Sequence, residues 1–194
     1  MMKAPLDRVL FASGNRGKYE EAAGLFAPFG VDVLFGPDLL SLEVEETGAT
    51  YQSNAWLKAR AYSIATEMAA LADDSGLEVA ALGGEPGVLS ARLARNNDDR
   101  IGIILSRLKD SYNRSARFVA SMALYLPSGA CVITEGVCLG EITRNPTGGR
   151  GFGYDPIFRP LGYDSTFGEL PDQVKRRISH RAIASYRLLG ILFG

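Results

Sequence analysis

Short apolar blocks separated by polar segments predict alternating strands and helices in the first third of the chain. Residues 9–12 form an apolar run typical of a strand, and helical spacing resumes between Glu21 and Phe29 after a Ser-Gly-Asn loop. Thr50 is a suitable N-cap for an alanine-rich helix that passes through Tyr62. This part of the chain therefore predicts a strand, a tight loop and two helices.

The middle of the chain predicts an interrupted strand and a helix. Residues 71–72 lead into an Asp-Asp-Ser-Gly segment at 73–76, where we expect the strand to turn sharply before the apolar segment 77–82. Residues 101–108 have the apolar spacing of a helix. The acidic segment is thus expected to lie at the end of a strand.

Alternating apolar residues predict a β-hairpin in the second half. Residues 117–126 form one expected strand, residues 130–135 the next, and Pro-Ser-Gly at 127–129 the turn between them. A glycine-dense loop at 148–153 follows, and a helix from about 180 to 192 closes the chain after a cap at Ser179. This order of elements predicts a mixed α/β domain with its functional groups in loops at the strand ends.

Length, composition and charge narrow the possible functions. The chain has 194 residues, of which 46% are hydrophobic, and this suits a single domain spanning residues 1–194. A formal net charge of -1 does not provide the extended basic surface that nucleic-acid binding requires. No segment has membrane-spanning length, and the N-terminal segment has too few apolar residues for a signal peptide. We therefore expect a cytoplasmic protein.

Histidine and cysteine usage excludes another group of sites. One histidine in the whole chain rules out a histidine-based zinc centre and any mechanism that needs two imidazoles. Cys131 and Cys138 match neither the spacing of a CxxC redox pair nor that of metal ligands. We interpret both cysteines as small core or surface residues.

The first candidate for chemistry is a polar loop between the predicted strand and helix: Ser13, Gly14, Asn15, Arg16, Gly17 and Lys18. Backbone N–H groups at a helix start, together with a lysine, can hold phosphate. Ala12 and Tyr19 stand where a Walker A loop needs glycine and then serine or threonine, so the loop is not that motif. Taken alone, it is equally compatible with an ordinary strand-to-helix turn.

Carboxylates form the second candidate. Glu45 and Glu46 precede a Thr-Gly pair, and Asp73 and Asp74 follow an apolar pair. Magnesium prefers one or two protein carboxylates and completes its coordination with water and substrate phosphate. Solvated glutamates and an Asx-turn are the alternative interpretation. For the aspartates a functional role is favoured, because a nearly buried carboxylate is unfavourable without a cation or hydrogen bonds.

Three further groups could contact a nucleotide. Asn54 and Lys58 share one helix face, so Lys58 could reach phosphate or a reacting water, or be a surface lysine. The cationic run 175–181 contains a His-Arg pair that could donate to purine carbonyl oxygens, although a solvated segment or a nuclear-localisation signal has the same composition. Phe152 and Tyr154 could stack on a base or belong to the core.

Together and in order, these segments resemble the Ham1/RdgB inosine triphosphate pyrophosphatases, also called XTP/dITP diphosphatases. Five blocks that span nearly the whole chain carry the resemblance: FASGNRGKYEE at 11–21, EETGATYQSNAWLKA at 45–59, ADDSGLEVAALGGEPGVLSAR at 72–92, GFGYDPIF at 151–158 and ISHRAIA at 178–184. The resemblance implies an elongated α/β fold with a mixed sheet, flanking helices and two lobes around a central nucleotide cleft, usually as a homodimer. The implied activity is magnesium-dependent hydrolysis of ITP, dITP and XTP to the monophosphate and pyrophosphate.

The resemblance also implies roles for individual residues. The 13–18 loop, Lys58 and Lys175 would bind the triphosphate, and Ser75 would contact substrate. Glu45 and Asp74 would bind Mg²⁺, and Asp74 would also be the catalytic proton acceptor. The base would be recognised by the remaining matched residues: Phe152, Gly153, Tyr154, Asp155, His180 and Arg181.

Three positions depart from the family pattern. Ser13 stands where threonine is common, and it keeps the hydroxyl group. Ser53 replaces a glutamate, which puts an auxiliary metal or water contact from that helix in doubt. Leu89 replaces a tyrosine, which could alter the pocket wall. Neither Ser53 nor Leu89 is a residue assigned to the core chemistry.

Other functions stay open at the level of sequence. A pyrophosphatase for modified pyrimidine triphosphates would share the phosphate site and differ in the base pocket. A nucleotide-binding sensor without catalysis would keep the site but has no need of a positioned base such as Asp74. An RNA-binding module is least favoured, because the chain lacks an aromatic stacking platform flanked by cations.

Overall fold

The computed structural model describes residues 6–194, and these form two compact units. The first unit contains the described residues up to Asp74 together with Ala120–Gly136 and Arg181–Gly194. The second contains Ser75–Val119 and Val137–His180. The signal-peptide prediction depends partly on residues 1–5, which lie outside the described residues. The single domain from 1 to 194 stays a prediction.

Six strands form one sheet in the order β2-β1-β3-β4-β5-β6. The strands are β1 (Arg8–Phe11), β2 (Asp32–Phe35), β3 (Ala70–Val79), β4 (Ser115–Tyr125), β5 (Cys131–Ile142) and β6 (Phe158–Pro160). The helices are α1 (Arg16–Phe26), α2 (Gly36–Leu39), α3 (Tyr51–Thr66), α4 (Asn97–Arg107), α5 (Asp172–Ile178) and α6 (His180–Phe193). Because β1 is parallel to β2 and β3 whereas β6 is antiparallel to β5, the expected mixed α/β class is confirmed.

The first unit has a hydrophobic cluster on each face of its sheet. Successive side chains of a strand point to opposite faces. Val9 and Phe11 of β1 therefore pack in one cluster with α1 and α6, whereas Leu10 and Ala12 pack in another with α3. Each fully buried large apolar side chain contributes about 1.5–3 kcal/mol. This packing holds α1, α3 and α6 against the two faces of the sheet.

Local capping fixes the starts of α1 and α3. The Lys18 backbone N–H donates to Oδ1 of Asn15 at 3.0 Å. At α3 the backbone N–H of Ser53 donates to Oγ1 of Thr50, and that of Thr50 donates to Oγ of Ser53, both at 3.2 Å. This capping box confirms the predicted N-cap and gives Ser53, which replaces the family's glutamate, a structural task at the third helical position.

The predicted sharp turn at 73–76 is wrong, because β3 runs without interruption from Ala70 to Val79. The Asp-Asp-Ser-Gly composition is typical of turns, but cationic side chains pair with both aspartates and let the strand continue. The predicted first helix also ends early, since α1 stops at Phe26 and a 3₁₀ turn with Pro28 follows.

Four of the described strands and α-helices were not predicted: β2, α2, β6 and α5. The cationic run 175–181 belongs to α5 and α6, which Ser179 separates in an extended conformation. The predicted hairpin is confirmed, and its turn is closed by the Leu126 N–H, which donates to the Ala130 carbonyl at 2.9 Å. Within residues 6–194, no helix is both long and apolar enough to cross a membrane.

The second unit has a separate core rich in aromatic rings. The rings of Phe118 and Phe158 lie 4.4 Å apart, and those of Phe158 and Phe167 lie 5.6 Å apart. Ile101 and Ile104 of α4 pack against this cluster.

Both cysteines are free, one exposed and one buried, as interpreted from the sequence.

Candidate active site

Two adjacent carboxylates on β3 have different surroundings. Because strand side chains alternate, Asp73 points to the face covered by α1 and α6, and Asp74 to the face covered by α3. Asp73 is fully buried, and 9% of the Asp74 side chain is exposed. The two aspartates therefore belong to different ionic networks of the first unit.

Asp73 is the centre of a buried network with two cations. Lys18 Nζ lies 2.5 Å from Oδ1 of Asp73, and Arg181 donates from Nε to Oδ2 at 2.9 Å and from Nη2 to Oδ1 at 3.3 Å. Arg181 also donates from Nη1 to Glu21. Burial alone would raise the pKa of Asp73, but the charges of Arg181 and Lys18 outweigh it and hold the pKa well below its ordinary value.

This network occupies two residues that the sequence assigns to substrate. The Lys18 side chain is only 13% exposed, and burial lowers its pKa while Asp73 opposes that change. The Arg181 side chain is 1% exposed, and Asp73 and Glu21 accept its hydrogen bonds. Contact of Lys18 with phosphate and of Arg181 with a base therefore stay predictions, while both residues have a defined structural task.

The polar loop before α1 exposes the start of that helix. Gly14, Asn15 and Arg16 are exposed, and the Asn15 N–H donates to Oγ of Ser13 at 3.2 Å. First-turn N–H groups have no partner within a helix, so an exposed helix start attracts anions. The Arg16 guanidinium lies 4.7 Å from the centre of the Phe35 ring. The exposed loop backbone is therefore a candidate for binding phosphate.

Asp74 accepts hydrogen bonds from two side chains of α3. Lys58 Nζ donates to Oδ1 at 3.3 Å, and Asn54 Nδ2 donates to Oδ2 at 3.2 Å. Burial raises the pKa of Asp74, Lys58 and Lys18 oppose this effect, and Glu46 adds to it. A raised pKa suits a carboxylate that accepts a proton.

The segment before α3 is tied to the same helix. Lys58 Nζ lies 2.7 Å from Oε1 of Glu46, and the Gly48 N–H donates to Oδ1 of Asn54 at 2.8 Å. A Cβ atom at position 48 would overlap Oδ1 of Asn54, so only glycine fits this approach. Glu46 makes the contact with Lys58, whereas Glu45 is exposed, and its role as a metal ligand stays a prediction.

The donor chemistry around Asp74 fits a magnesium ion that is shared with substrate. Among residues 6–194, no group of three His, Cys, Asp or Glu side chains could hold a metal ion. Magnesium in nucleotide-hydrolysing sites typically takes one or two carboxylates and keeps its other positions for water and phosphate. Asp74 supplies hard oxygen donors of that kind.

In the second unit, Asp155 organises the glycine-rich loop. The Phe152 N–H donates to Oδ2 of Asp155 at 2.8 Å, and Lys175 Nζ lies 2.5 Å from the same oxygen. Lys175 also lies over the Phe152 ring, 4.7 Å from its centre. A Cβ atom at Gly151 would overlap Oδ2 of Asp155, so the loop closes only with glycine there. The sequence-predicted residues of this loop and Lys175 are therefore brought together.

The other predicted residues of the second unit take part in packing. The Tyr154 hydroxyl donates to the Ser90 carbonyl at 2.9 Å, and burial raises the pKa of Tyr154 to about 12. The His180 ring is stacked on Phe118 with 4.7 Å between centres. Ser75 is half-buried, and Gly153 has a left-handed φ of 64°. Leu89, at the departure from the family pattern, is 54% exposed.

Sequence reasoning missed several of these contacts. It considered Asp73 only as part of an acidic pair for magnesium, assigned no role to Glu21, and named Asn54 only as a neighbour of Lys58. Strand alternation gives the signal for Asp73, because the residue before Asp74 must point to the opposite face. For Asn54 the signal is the four-residue spacing that aligns it with Lys58.

Comparison with known proteins finds similar sequences and a similar solved structure. The profile of the Ham1 family matches residues 9–191. A dITP/XTP pyrophosphatase of Aquifex aeolicus is 43% identical over 95% of this chain and 96% of its own length. One from Deinococcus radiodurans is 44% identical over 94% and 91%. The solved structure of a HAM1 protein from Coxiella burnetii is 38% identical, with a TM-score of 0.85 over 95% of this chain and 98% of its own.

Proposed function

Because this chain belongs to the Ham1 family, we propose that it hydrolyses the non-standard purine nucleoside triphosphates ITP, dITP and XTP to the nucleoside monophosphate and pyrophosphate. Curated relatives of nearly the same length bear the name dITP/XTP pyrophosphatase. The structural observation that carries the proposal is the buried Asp74 carboxylate on β3, which accepts hydrogen bonds from Lys58 and Asn54 of α3. An amide and a lysine hold this carboxylate in place for a reaction.

We assign the proton transfer to Asp74. Its carboxylate takes a proton from a water molecule whose oxygen forms a bond to the α-phosphorus. The bond between that phosphorus and the oxygen of the leaving pyrophosphate breaks at the same centre. Lys58, which lies 3.3 Å from Asp74, is placed to stabilise the negative charge that develops on the phosphate oxygens.

The phosphates are assigned to the 13–18 loop, with Lys18 and Lys175 adding positive charge. Bound Mg²⁺, held by Asp74 and Glu45, would neutralise charge on the phosphate oxygens. The exposed start of α1 supports the loop assignment, because its N–H groups and helix dipole favour anions. Ser75, next to Asp74 on β3, is the remaining contact we assign to substrate.

Base recognition is assigned to Phe152–Asp155, His180 and Arg181. Hypoxanthine and xanthine carry an oxygen at C6 where adenine has an amino group, so hydrogen-bond donors favour ITP and XTP over ATP. A site built around such bonds can reject an analogue that leaves them unpaired by roughly 10⁴-fold. The loop around Phe152 supports this assignment, because Asp155 holds its backbone rigidly.

We further propose that the enzyme is a cytoplasmic homodimer. Val137 and Leu139 are exposed at alternate positions on one face of β5 and form an apolar patch suited to contact a second copy of the chain. Light scattering of the purified protein tests the assembly, and a monomer at micromolar concentration would contradict it.

The decisive experiment measures pyrophosphate release from ITP, XTP, dITP, ATP and GTP with and without magnesium. We expect magnesium-dependent release of pyrophosphate from ITP, XTP and dITP. This release should be lost in the Asp74→Asn variant. Equal cleavage of ATP or GTP would overturn the specificity. Binding of ITP without hydrolysis would favour a nucleotide sensor, and preference for a modified pyrimidine triphosphate would move the assignment to that substrate class.

A further inference from the structure

We infer that Asn54 is a positioning residue for the reaction, because its side-chain amide joins the Asp74 carboxylate to the segment that carries Glu45 and Glu46. This inference rests on the proposed function, in which Asp74 accepts the proton. Asn54 itself touches neither phosphate nor water in this assignment. It acts through the orientation of Asp74.

The side-chain amide of Asn54 forms one hydrogen bond through its nitrogen and one through its oxygen. Its Nδ2 donates to Oδ2 of Asp74 at 3.2 Å, and its Oδ1 accepts from the Gly48 N–H at 2.8 Å. The orientation of the amide is determined, because a backbone N–H can only donate and an ionised carboxylate can only accept. With 2% of its surface exposed, Asn54 is removed from competing water. One side chain therefore sets the relation between β3 and the segment at 45–48.

Lys58 cannot replace this connection. Its Nζ also bridges the two elements, at 2.7 Å from Glu46 and 3.3 Å from Asp74. An ammonium group on a four-carbon stem is a point charge with rotatable donors, whereas a planar amide fixed at both ends defines a direction. Asn54 thus fixes Oδ2 of Asp74 and leaves Lys58 to supply charge at Oδ1.

The test replaces Asn54 by aspartate. Asn54→Asp keeps the size and the acceptor for the Gly48 N–H, but it removes the donor to Asp74 and opposes two carboxylates. We expect kcat for ITP to fall about 10- to 100-fold, the value of a hydrogen bond to a charged group. KM should change by less than about threefold, because the substrate contacts are retained.

Gln52 provides a matched control on the same turn of α3. Its Nε2 donates to Oε1 of Glu135 at 2.8 Å, so Gln52→Glu also turns an amide that faces a carboxylate into a second carboxylate. A general effect of charge on α3 would lower kcat in both variants. We expect kcat of Gln52→Glu to stay within about twofold of the wild type.

A readout independent of turnover comes from exchanging the two residues. The double variant Asn54→Asp with Asp74→Asn restores an amide facing a carboxylate, with the direction of the hydrogen bond reversed. Thermal unfolding without nucleotide or magnesium should show the double variant to be more stable than the sum of the single effects predicts. Its turnover should stay absent, since the carboxylate is no longer on β3. Additive effects on unfolding would overturn the inference.

The outcomes separate this inference from the proposed function. If Asp74→Asn is inactive while Asn54→Asp keeps the wild-type kcat, the positioning role of Asn54 is wrong and the proposed function stands. If Asp74→Asn hydrolyses ITP normally, the assigned base is wrong, and with it the role of Asn54. Should Asn54→Asp fail to fold, Asn54→Ser removes the donor without adding charge, and a wild-type kcat in that variant would equally refute the role.

Discussion

Two aspartates on opposite faces of β3 have pKa values shifted in opposite directions. Asp73 is enclosed by Lys18 and Arg181, and Glu21 balances the second cation. Asp74 accepts from one amide and from one lysine that Glu46 also contacts, and it keeps some exposure. The pKa of Asp73 is lowered by its cations, whereas the pKa of Asp74 is raised by burial. A carboxylate surrounded by cations stabilises the fold, and one with fewer partners keeps the capacity to take a proton.

The largest expected effect separates the two aspartates by turnover. Asp74→Asn should lower kcat for ITP by about 10²- to 10⁴-fold, the usual contribution of a general base. Its stability in urea should not fall, because the substitution removes a buried charge that burial disfavours. Pyrophosphate release and urea unfolding measured on one preparation check both parts. An inactive variant that is also strongly destabilised would show that the two faces are not functionally distinct.

The complementary change on the other face should affect folding. Asp73→Asn removes the carboxylate that Lys18 and Arg181 share. Breaking a buried ion pair costs about 3–5 kcal/mol. Urea unfolding of Asp73→Asn is the measurement. Asp74→Asn, which we expect to keep its stability, is the control. Equal stability of the two variants would mean that the Asp73 network does not support the fold.

The pH dependence of stability tests the role of Asp73 separately. The pKa of Asp73 in the folded state is below its unfolded value of about 3.9, so the unfolded state binds protons more tightly. The contribution of Asp73 is therefore present at neutral pH and is lost progressively as pH falls below about 5. Unfolding followed from pH 7 to pH 3 should show a steeper loss in the wild type than in Asp73→Asn. Parallel slopes would contradict a lowered pKa for this residue.

Asp155 in the second unit offers an intermediate case with one cation. Asp155→Asn keeps an acceptor for the Phe152 N–H but leaves Lys175 without its carboxylate. We expect a loss of about 1–3 kcal/mol in urea unfolding, less than for Asp73→Asn, because a single charged hydrogen bond is removed. Lys175→Met serves as the reciprocal control. A loss as large as that of Asp73→Asn would show that the number of cations does not set the effect.

Sequence predicts those features of this molecule that are decided locally. Thr50 and Ser53 lie three residues apart, and their reciprocal hydrogen bonds form α3's cap without help from the rest of the chain. The hairpin between β4 and β5 is likewise set by its turn residues. The 13–18 loop and the segment around Asp74 could be proposed as parts of a site because motifs of adjacent residues carry them.

Long-range partners explain what could not be predicted. The Asp-Asp-Ser-Gly segment has the composition of a turn, but Arg181, 108 residues away, pairs with Asp73 and lets the strand continue. Neither local propensity nor the resemblance indicates that pair. A cationic run around Lys175 was interpreted from charge, whereas burial of Lys175 against Asp155 depends on the folded second unit.

The smallest expected effect concerns base selection by His180 and Arg181. Arg181 also binds Asp73 and Glu21, so Arg181→Lys should lower stability as well as the ratio of ITP to ATP hydrolysis. His180→Ala removes a ring that stacks on Phe118 beside the aromatic core of the second unit. If this ring contributes a hydrogen bond to the 6-oxo group, the ITP/ATP ratio of kcat/KM should fall about tenfold, the value of one neutral hydrogen bond. An unaltered ITP/ATP ratio in both variants would refute the role of His180 and Arg181 in base recognition.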